Sequence, residues 1–523
     1  MAKVKSDQPK EIVLDLFSPG MTALHRVGLA GLWMTLKRFE AEKVKIPGGS
    51  WDLTDHSVTL NWKDNARLFF DGLFKQSFRI DKNGVIYFSA LGDSFSYLQA
   101  AVLLHKAMLG TFLQHGKTRK GDPANKPTGA LSVEVDDIAL TLRYQKIKSY
   151  THQAASIELV NEDGDPRVVR LAGWHFPGGI VRHVGLGESS TALEEPPERS
   201  IPLLYAPVGG IYFQIKRFSA GARPLYALVV PEITNLEQYA KARTVFLHHG
   251  VKELLASGTA DAGWRVLATI HAKGLLHSLT APTCRVISFG TVAWSKQQKT
   301  RVDLYTVRAH HEDRLRVYRL CLQVFLPRLV KPSNGEPFWD VPQVPDLIAR
   351  NLNGGCPWYE RFSDFVADQD VRKHVFQYER EGLNKMITEA GFDEERERIF
   401  VHACHEAWRR RLGQLGERAR RERASFTDLT SREYERVRVG FARCKNATTL
   451  RETVTDFWAR AGGPLRDLQA GWKEVLPLFD ERNWRKAKDL ALLALASYQP
   501  ATREEAEALV SPGVDHTEGG DAQ

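Results

Sequence analysis

The chain reads as an α+β protein. A large, strand-rich mixed body is expected over residues 1–385, with an internal division near 116–130, then an antiparallel helical bundle over 386–503 and an acidic, polar tail over 504–523. Three observations predict this. Between Leu131 and Val230 apolar and polar residues alternate at period two, as in SVEVDDIALTLRY and IYFQIKRF, which is the pattern of half-buried strands. From Phe400 the apolar residues recur instead at helical spacing: Phe400, Cys404, Trp408, Leu412 and Leu415, then Tyr434, Val437, Phe441 and Cys444, then Leu450, Val454 and Phe457. Helix punctuation gathers in the same region. Thr430-x-x-Glu433 and Thr449-x-x-Glu452 read as capping boxes, and Gly462-Gly463-Pro464 closes one helix and opens the next.

The body begins with a short strand, EIVLDLF (Glu11–Phe17), turned by Ser18-Pro19-Gly20. Thr22 then caps a helix to about Glu40 whose apolar face holds Leu24, Val27, Leu32, Leu36 and Phe39. A strand over Ser57–Trp62, a helix over Asn65–Phe74, a hairpin turned at Asn83-Gly84 and a helix from Ser94 to His115 come next. Residues 116–129, GKTRKGDPANKPTG, read as a polar basic loop, and 187–200 as an exposed loop. Helices are expected over 234–257, 264–279 and 311–326. Between the last two lies a hairpin of Cys284–Trp294 and Arg301–Ala309 with its tip at 295–300, and a proline-rich surface crossing spans 331–345.

The totals narrow the function classes. The 523 residues provide for roughly two to four domains. The net charge of +9, from 72 basic and 63 acidic residues, leans mildly towards an anionic partner. Five dispersed cysteines, never C-x-x-C, argue against a disulfide framework or zinc knuckle and suit a reducing, cytoplasmic setting. The opening MAKVKS lacks the apolar run of a signal peptide, and no stretch approaches the ~18 apolar residues of a membrane span.

Enzyme signatures are weak. The chain has neither a G-x-x-x-x-G-K-[ST] phosphate loop nor a G-x-S-x-G elbow, and Gly185-x-Gly187 lacks a dinucleotide fingerprint's third glycine. His402 and His405 share a helix face without a third ligand, and His310, His311 and Asp313 tempt a metal-dependent nuclease reading that no companion pair supports. No catalytic residue, metal or cofactor is expected. The rivals to nucleic-acid binding are that nuclease and a protein-interaction scaffold.

The nucleic-acid signals are better. At the hairpin tip, Gln297 and Gln298 carry donors and acceptors suited to base edges, and Lys296, Lys299 and Arg301 are placed for phosphates. Asn351 and Asn353, beside Gly354-Gly355, form a second candidate that reads equally as a helix C-cap. Lys117, Arg119, Lys120 and Lys126 make the polar loop a candidate backbone wrap, and His25 and Arg26 stand in a helix's first turns, where an anion is favoured. Seven arginines and two acids (Glu417, Glu422) fall between Arg409 and Arg423. Arg409, Arg410, Arg411, Arg418, Arg420 and Arg421 are the candidates for a single strand, against the alternative of a solvated helix face.

The run LDLFSPGMTALHRVGLAGL (Leu14–Leu32) resembles the opening of the large subunits of type I CRISPR surveillance complexes (Cascade), specifically the MYXAN-type group related to subtype I-B. SFGTVAWSKQQKTR (Ser288–Arg301) resembles a segment of the same group. The resemblance implies a non-catalytic subunit that binds guide RNA beside the backbone and handle-binding subunits. Such a subunit reads a short protospacer-adjacent motif (PAM) in duplex DNA, starts strand separation, stabilises the R-loop, and recruits a helicase–nuclease or a transposition adaptor. His25 and Arg26 become candidates for the guide handle, and the arginines for the displaced strand. It also implies a small subunit made from the same gene by internal translation. Met386 is the only methionine after Met108, and Arg380-Glu381-Gly382 can be encoded by purine-rich codons just upstream.

Overall fold

The structure is a computed structural model that describes residues 10–94, 98–114, 116–121, 128–177, 193–215, 225–294, 297–309, 311–333 and 335–499. The chain divides into two compact units, residues 1–315 with 327–341, and residues 316–326 with 342–523. The expected boundary at 385/386 thus falls inside the second unit.

In the first unit, Lys10–Asp15, Ser57–Trp62 and Gly49–Leu53 form an antiparallel sheet with Ser57–Trp62 in the centre. Its buried face (Ile12, Leu14, Val58, Leu60 and Trp62) follows the period-two pattern of the sequence. The helix Ala23–Glu42 is capped by Thr22 as the sequence predicts. It packs against a helix that the local sequence does not predict, Pro197–Gly209, which lies partly where an exposed loop was expected. That segment, PERSIPLLYAPVG, carries prolines at 202 and 207 and reads locally as irregular. Tertiary packing overrides the local preference. A Cβ at Gly28 would stand 1.9 Å from the Pro202 carbonyl oxygen, at Gly31 2.4 Å from that of Tyr205, and at Gly209 2.0 Å from that of Val27. The two helices therefore touch backbone to backbone through glycines.

A five-stranded sheet has the strand order Leu255–Ala256, Ile211–Ile215, Leu225–Ile233, Leu279–Trp294, Gln297–Arg308. The helix Thr259–Ala272 lies on it at Gly263, where a Cβ would meet Val307 and Val286 at 2.5 and 2.7 Å. The stretch expected to be a loop around 116–129 contains strand residues at both of its ends. Arg119–Gly121 is a strand paired with Ile147–Tyr150, and Gly129–Val135 pairs with Ile138–Tyr144. The surface crossing likewise contains a small ladder, Arg328–Val330 with Phe338–Asp340.

The second unit is helical. Glu395–Glu422, Phe426–Arg443, Ala447–Ala459, Arg466–Val475 and Trp484–Ser497 surround Trp408, Phe441, Phe457, Leu450 and Leu493. The apolar spacing located these helices, but the caps lie earlier than expected. Ser425 accepts the N–H of Asp428 and Asn446 that of Thr449, so Thr430 stands inside its helix and Thr449 in a first turn already capped.

The segment 342–390 belongs to this unit through buried polar ties. Asp489 accepts the N–H groups of Arg361 and Ser363, both at 2.9 Å. Tyr359 donates to Glu397, and half-buried Arg380 donates to the carbonyls of Leu495 (3.2 Å) and Tyr498 (2.9 Å). Met386 is fully buried within this packing.

Candidate nucleic-acid interface

The hairpin of the five-stranded sheet is longer than the sequence suggested. Its register runs without interruption from Thr283↔Arg308 to Trp294↔Gln297, so the second strand takes up residues 297–300 of the expected six-residue tip. Gln297, Gln298, Lys299 and Arg301 are strand residues, while Lys296 lies outside the described residues. The neighbouring strand Leu225–Ile233 pairs only as far as Tyr226↔Phe289. Among the described residues, Gly290–Arg301 is thus a two-stranded ribbon paired only with itself. The ladder sets Gln297 opposite Trp294, Gln298 opposite Ala293, Lys299 opposite Val292 and Arg301 opposite Gly290.

Other candidates are occupied within the fold. Asn351 is buried in the helix Val344–Gly354, and its amide donates to the carbonyls of Trp358 (2.9 Å) and Glu360 (2.6 Å). Asn353 stands in the last turn of that helix, which ends at Gly355 with φ +80°, the C-cap the sequence also allowed. His25 is buried where a surface position was the alternative. Its Nδ1 accepts the Thr22 N–H (3.2 Å), burial and then Arg199 lower its pKa to about 4, and its Nε2 is 3.9 Å from Glu195. Arg26 faces Glu232 at 3.9 Å. Arg119 donates to the carbonyls of Leu109 and Leu113 at the end of the helix Leu98–Thr111. Lys117 and Lys120 are exposed, and Lys126 lies outside the described residues.

The arginine stretch occupies the second half of the helix Glu395–Glu422, and the fold brings it acids from beyond its own window. Arg410 pairs with Glu406 at 2.6 Å, Arg411 with Glu433 at 2.8 Å, and Arg418 and Arg421 share Glu422 at 2.9 and 3.5 Å. Among the described residues, Arg409, Arg420 and Arg423 have no acid partner, and all three are exposed. At 3.6 residues per turn, positions 409, 413, 416, 420 and 423 fall within about 80° of one another. Positions 413 and 416 are glycines: a Cβ at Gly413 would meet nothing within 4 Å, and one at Gly416 only Phe426 at 3.7 Å. The result is a helical stripe without side chains at 413 and 416 and with three guanidinium groups that lack acid partners, of which Arg420 donates to the Gly416 carbonyl at 3.3 Å. Arg423 was not singled out from the sequence, although its three- and four-residue spacing through 416 and 420 to 409 is legible there.

The histidines of this region are also engaged. His402 Nδ1 lies 3.3 Å from Asp467, and His405 Nε2 meets the Ala494 carbonyl and the Ser497 hydroxyl, both at 3.0 Å. His310 lies outside the described residues, and His311 and Asp313 are exposed. Among the described residues no three His, Cys, Asp or Glu side chains gather as a metal-ligand set. No described helix is long and apolar enough to cross a membrane.

Comparison with known proteins aligns both ends of the chain. Residues 13–204 match the DevT N-terminal domain and residues 389–519 the DevT C-terminal domain. The chain is 29% identical, over 96% of its own length and 91% of the relative's, to a protein of Myxococcus xanthus (strain DK1622) described as CRISPR-associated protein Cas8a1/Csx13.

Proposed function

Because the chain belongs to the MYXAN-type group of CRISPR-associated large subunits, we propose that it acts without turnover in a type I RNA-guided DNA-targeting complex. It binds there beside guide RNA and the other Cascade subunits. Base pairing reads the long target sequence, and this subunit reads the short PAM, starts duplex opening and holds the displaced strand. It then recruits a helicase–nuclease or a transposition adaptor.

The observation that carries the strand-holding part is the stripe of Arg409, Arg420 and Arg423 over Gly413 and Gly416. Exposed arginines without acid partners attract phosphates whatever the base, and a side-chain-free surface between them lets a strand lie close. For PAM reading, the support is the ribbon Gly290–Arg301, since a major groove admits a two-stranded ribbon.

A binding titration tests both parts. Arg409→Ala, Arg420→Ala and Arg423→Ala together should weaken single-stranded DNA binding at every sequence and flatten its salt dependence by about 2 to 3 units of log–log slope. An unchanged slope would remove the strand-holding assignment. Gln297→Ala and Gln298→Ala together should erode discrimination between PAM and non-PAM duplexes. Equal loss on both duplexes would argue against base reading.

A further inference from the structure

Within the strand-rich unit the helix Leu98–Thr111 turns Gln99, Val102, Leu103 and Lys106 towards a cleft of about 170 Å³. Positions three, four and seven apart share one side of a helix, so these four form a single wall. The strand Ile138–Tyr144 adds Leu140, Thr141 and Leu142. Gln214 and Leu255, partners in the parallel ladder of the five-stranded sheet, add a further wall. Trp339, which is buried, and Phe338, which is 46% exposed, bring two aromatic rings.

The walls are largely apolar, yet four half-buried polar side chains line them: Gln99, Lys106, Thr141 and Gln214. Among the described residues none of these four side chains has a hydrogen bond or an ion pair. Burial lowers the pKa of Lys106. An ammonium group set among apolar side chains without a counter-charge is unfavourable, and a bound anion offsets that cost. Each amide offers donors and an acceptor, and the hydroxyl serves as either. Together they suit a ring edge that bears carbonyl and amino groups, while aromatic side chains suit the ring's flat faces. Sites for drug-sized molecules begin near ~300 Å³, so this cleft has room for one ring system. Apolar walls with a few converging polar groups are the usual make-up of a small-ligand site.

We propose that this cleft binds a single nucleotide. The base enters between the apolar walls, the amides of Gln99 and Gln214 and the Thr141 hydroxyl meet its edge, and the phosphate lies on Lys106. A free mononucleotide and an unpaired nucleotide of an RNA or DNA strand present the same base and the same phosphate, and the test below separates these two sources. The site lies in the other unit from Arg409, Arg420 and Arg423, and stands whether or not those arginines hold a strand.

Two measurements on the full chain test the proposal. The first is equilibrium binding of AMP, GMP, CMP and UMP beside their nucleosides. At least one nucleotide should bind about tenfold tighter than its nucleoside, as a hydrogen bond to a charged group provides, and Lys106→Met should remove that advantage. The substitution replaces one unbranched chain by another and takes a charge out of an apolar wall, so the melting temperature should hold or rise. Gln99→Ala with Gln214→Ala should level the preference among the bases. The second measurement irradiates the chain with short unstructured RNA or DNA carrying one photoreactive thiobase. The base should join the peptide holding Leu140–Leu142 or the one holding Trp339, and Lys106→Met should suppress that product. Nucleotide binding without the cross-link makes the free nucleotide the ligand, and the cross-link without nucleotide binding makes it a unit of a strand. Absence of both overturns the proposal. So does nucleotide binding or cross-linking that Lys106→Met leaves intact in a variant with the parent's melting temperature.

Discussion

The strand-rich unit buries four imidazoles among its polar groups, whereas the helical unit holds ionisable side chains that join segments far apart in sequence. Burial lowers the pKa of His25, His105 and His175 to about 4 and that of His152 to about 3, so these rings sit neutral in the interior. The strand-rich unit does contain a buried ion pair, Asp261 with Arg265, but it closes within one helical turn. In the helical unit Asp489 reaches 361 and 363, Glu397 reaches Tyr359 and Lys486, and Arg380 reaches 495 and 498. One unit is closed by backbone contact and neutral burial, the other by polar staples between distant stretches of chain.

The contrast is broken most severely where backbones touch. Gly28→Ala puts a methyl group 1.9 Å from the Pro202 carbonyl oxygen and should cost about 3 kcal/mol. The strand-rich unit should lose its cooperative thermal transition while the helical unit keeps its own. Loss of both transitions would mean that the units do not fold separately.

Next comes Arg380→Ala, which strips two carbonyls of a charged donor in a half-buried site. A loss of about 2–3 kcal/mol is expected, seen as faster hydrogen exchange across Trp484–Ser497. The same ties bear on an internal start. A fragment beginning at Met386 lacks Tyr359, Arg361, Ser363 and Arg380, and should melt lower than one beginning at Pro342. Equal melting would show that the staples are dispensable.

Acid should separate the units more gently. A histidine whose folded pKa lies below its unfolded 6.5 contributes stability that is full above 6.5 and drains as pH falls towards 4. Asp489 has the opposite sign: burial raises it from 3.8 to about 6, so its contribution is full below 3.8 and fades as pH rises through 6. His405, lowered to about 4, sides with the other histidines. Taking the protein from pH 7 to 5 should therefore loosen the strand-rich unit more than the helical one, by limited proteolysis or hydrogen exchange. Equal loosening would contradict the comparison.

The smallest effect should be a gain. Gly413→Ala adds a methyl group in open space on a helix and should stabilise the helical unit by about 1 kcal/mol. If a strand needs the bare stripe, the same change weakens single-strand binding while the melting temperature rises. Unchanged binding would mean that Gly413 only weakens its helix.

What the sequence revealed depended on how locally each feature is encoded. The helix Ala23–Glu42, the Asn83-Gly84 hairpin and the helices of the second unit arise from spacing and turn residues a few positions apart. Pro197–Gly209 does not, because its prolines argue against a helix and the glycines that seat it lie some 170 residues earlier, at 28 and 31. Candidate residues divide in the same way. The arginine stretch was visible, but which of its members lack acid partners was not, since Glu406 and Glu433 flank the window and only folding aims them into it. Asn351 and His25 look like ligands when read by residue type, and the fold spends both on its own turns.

The chain passes from one unit to the other at 315/316, returns at 326/327, and leaves again at 341/342. An odd number of passages lets the two ends belong to different units, but three of them mean that no single cut frees either unit whole. A protease nick after residue 341 would leave 316–326 behind, and a nick after residue 315 would carry 327–341 away with the wrong half. A gene cleanly divided at one codon would therefore always produce one partner missing part of its own interior. A cut after 341 leaves the strip 316–326 on the longer partner, a cut after 315 leaves 327–341 on the shorter, and either strip could return to its own unit only by binding back.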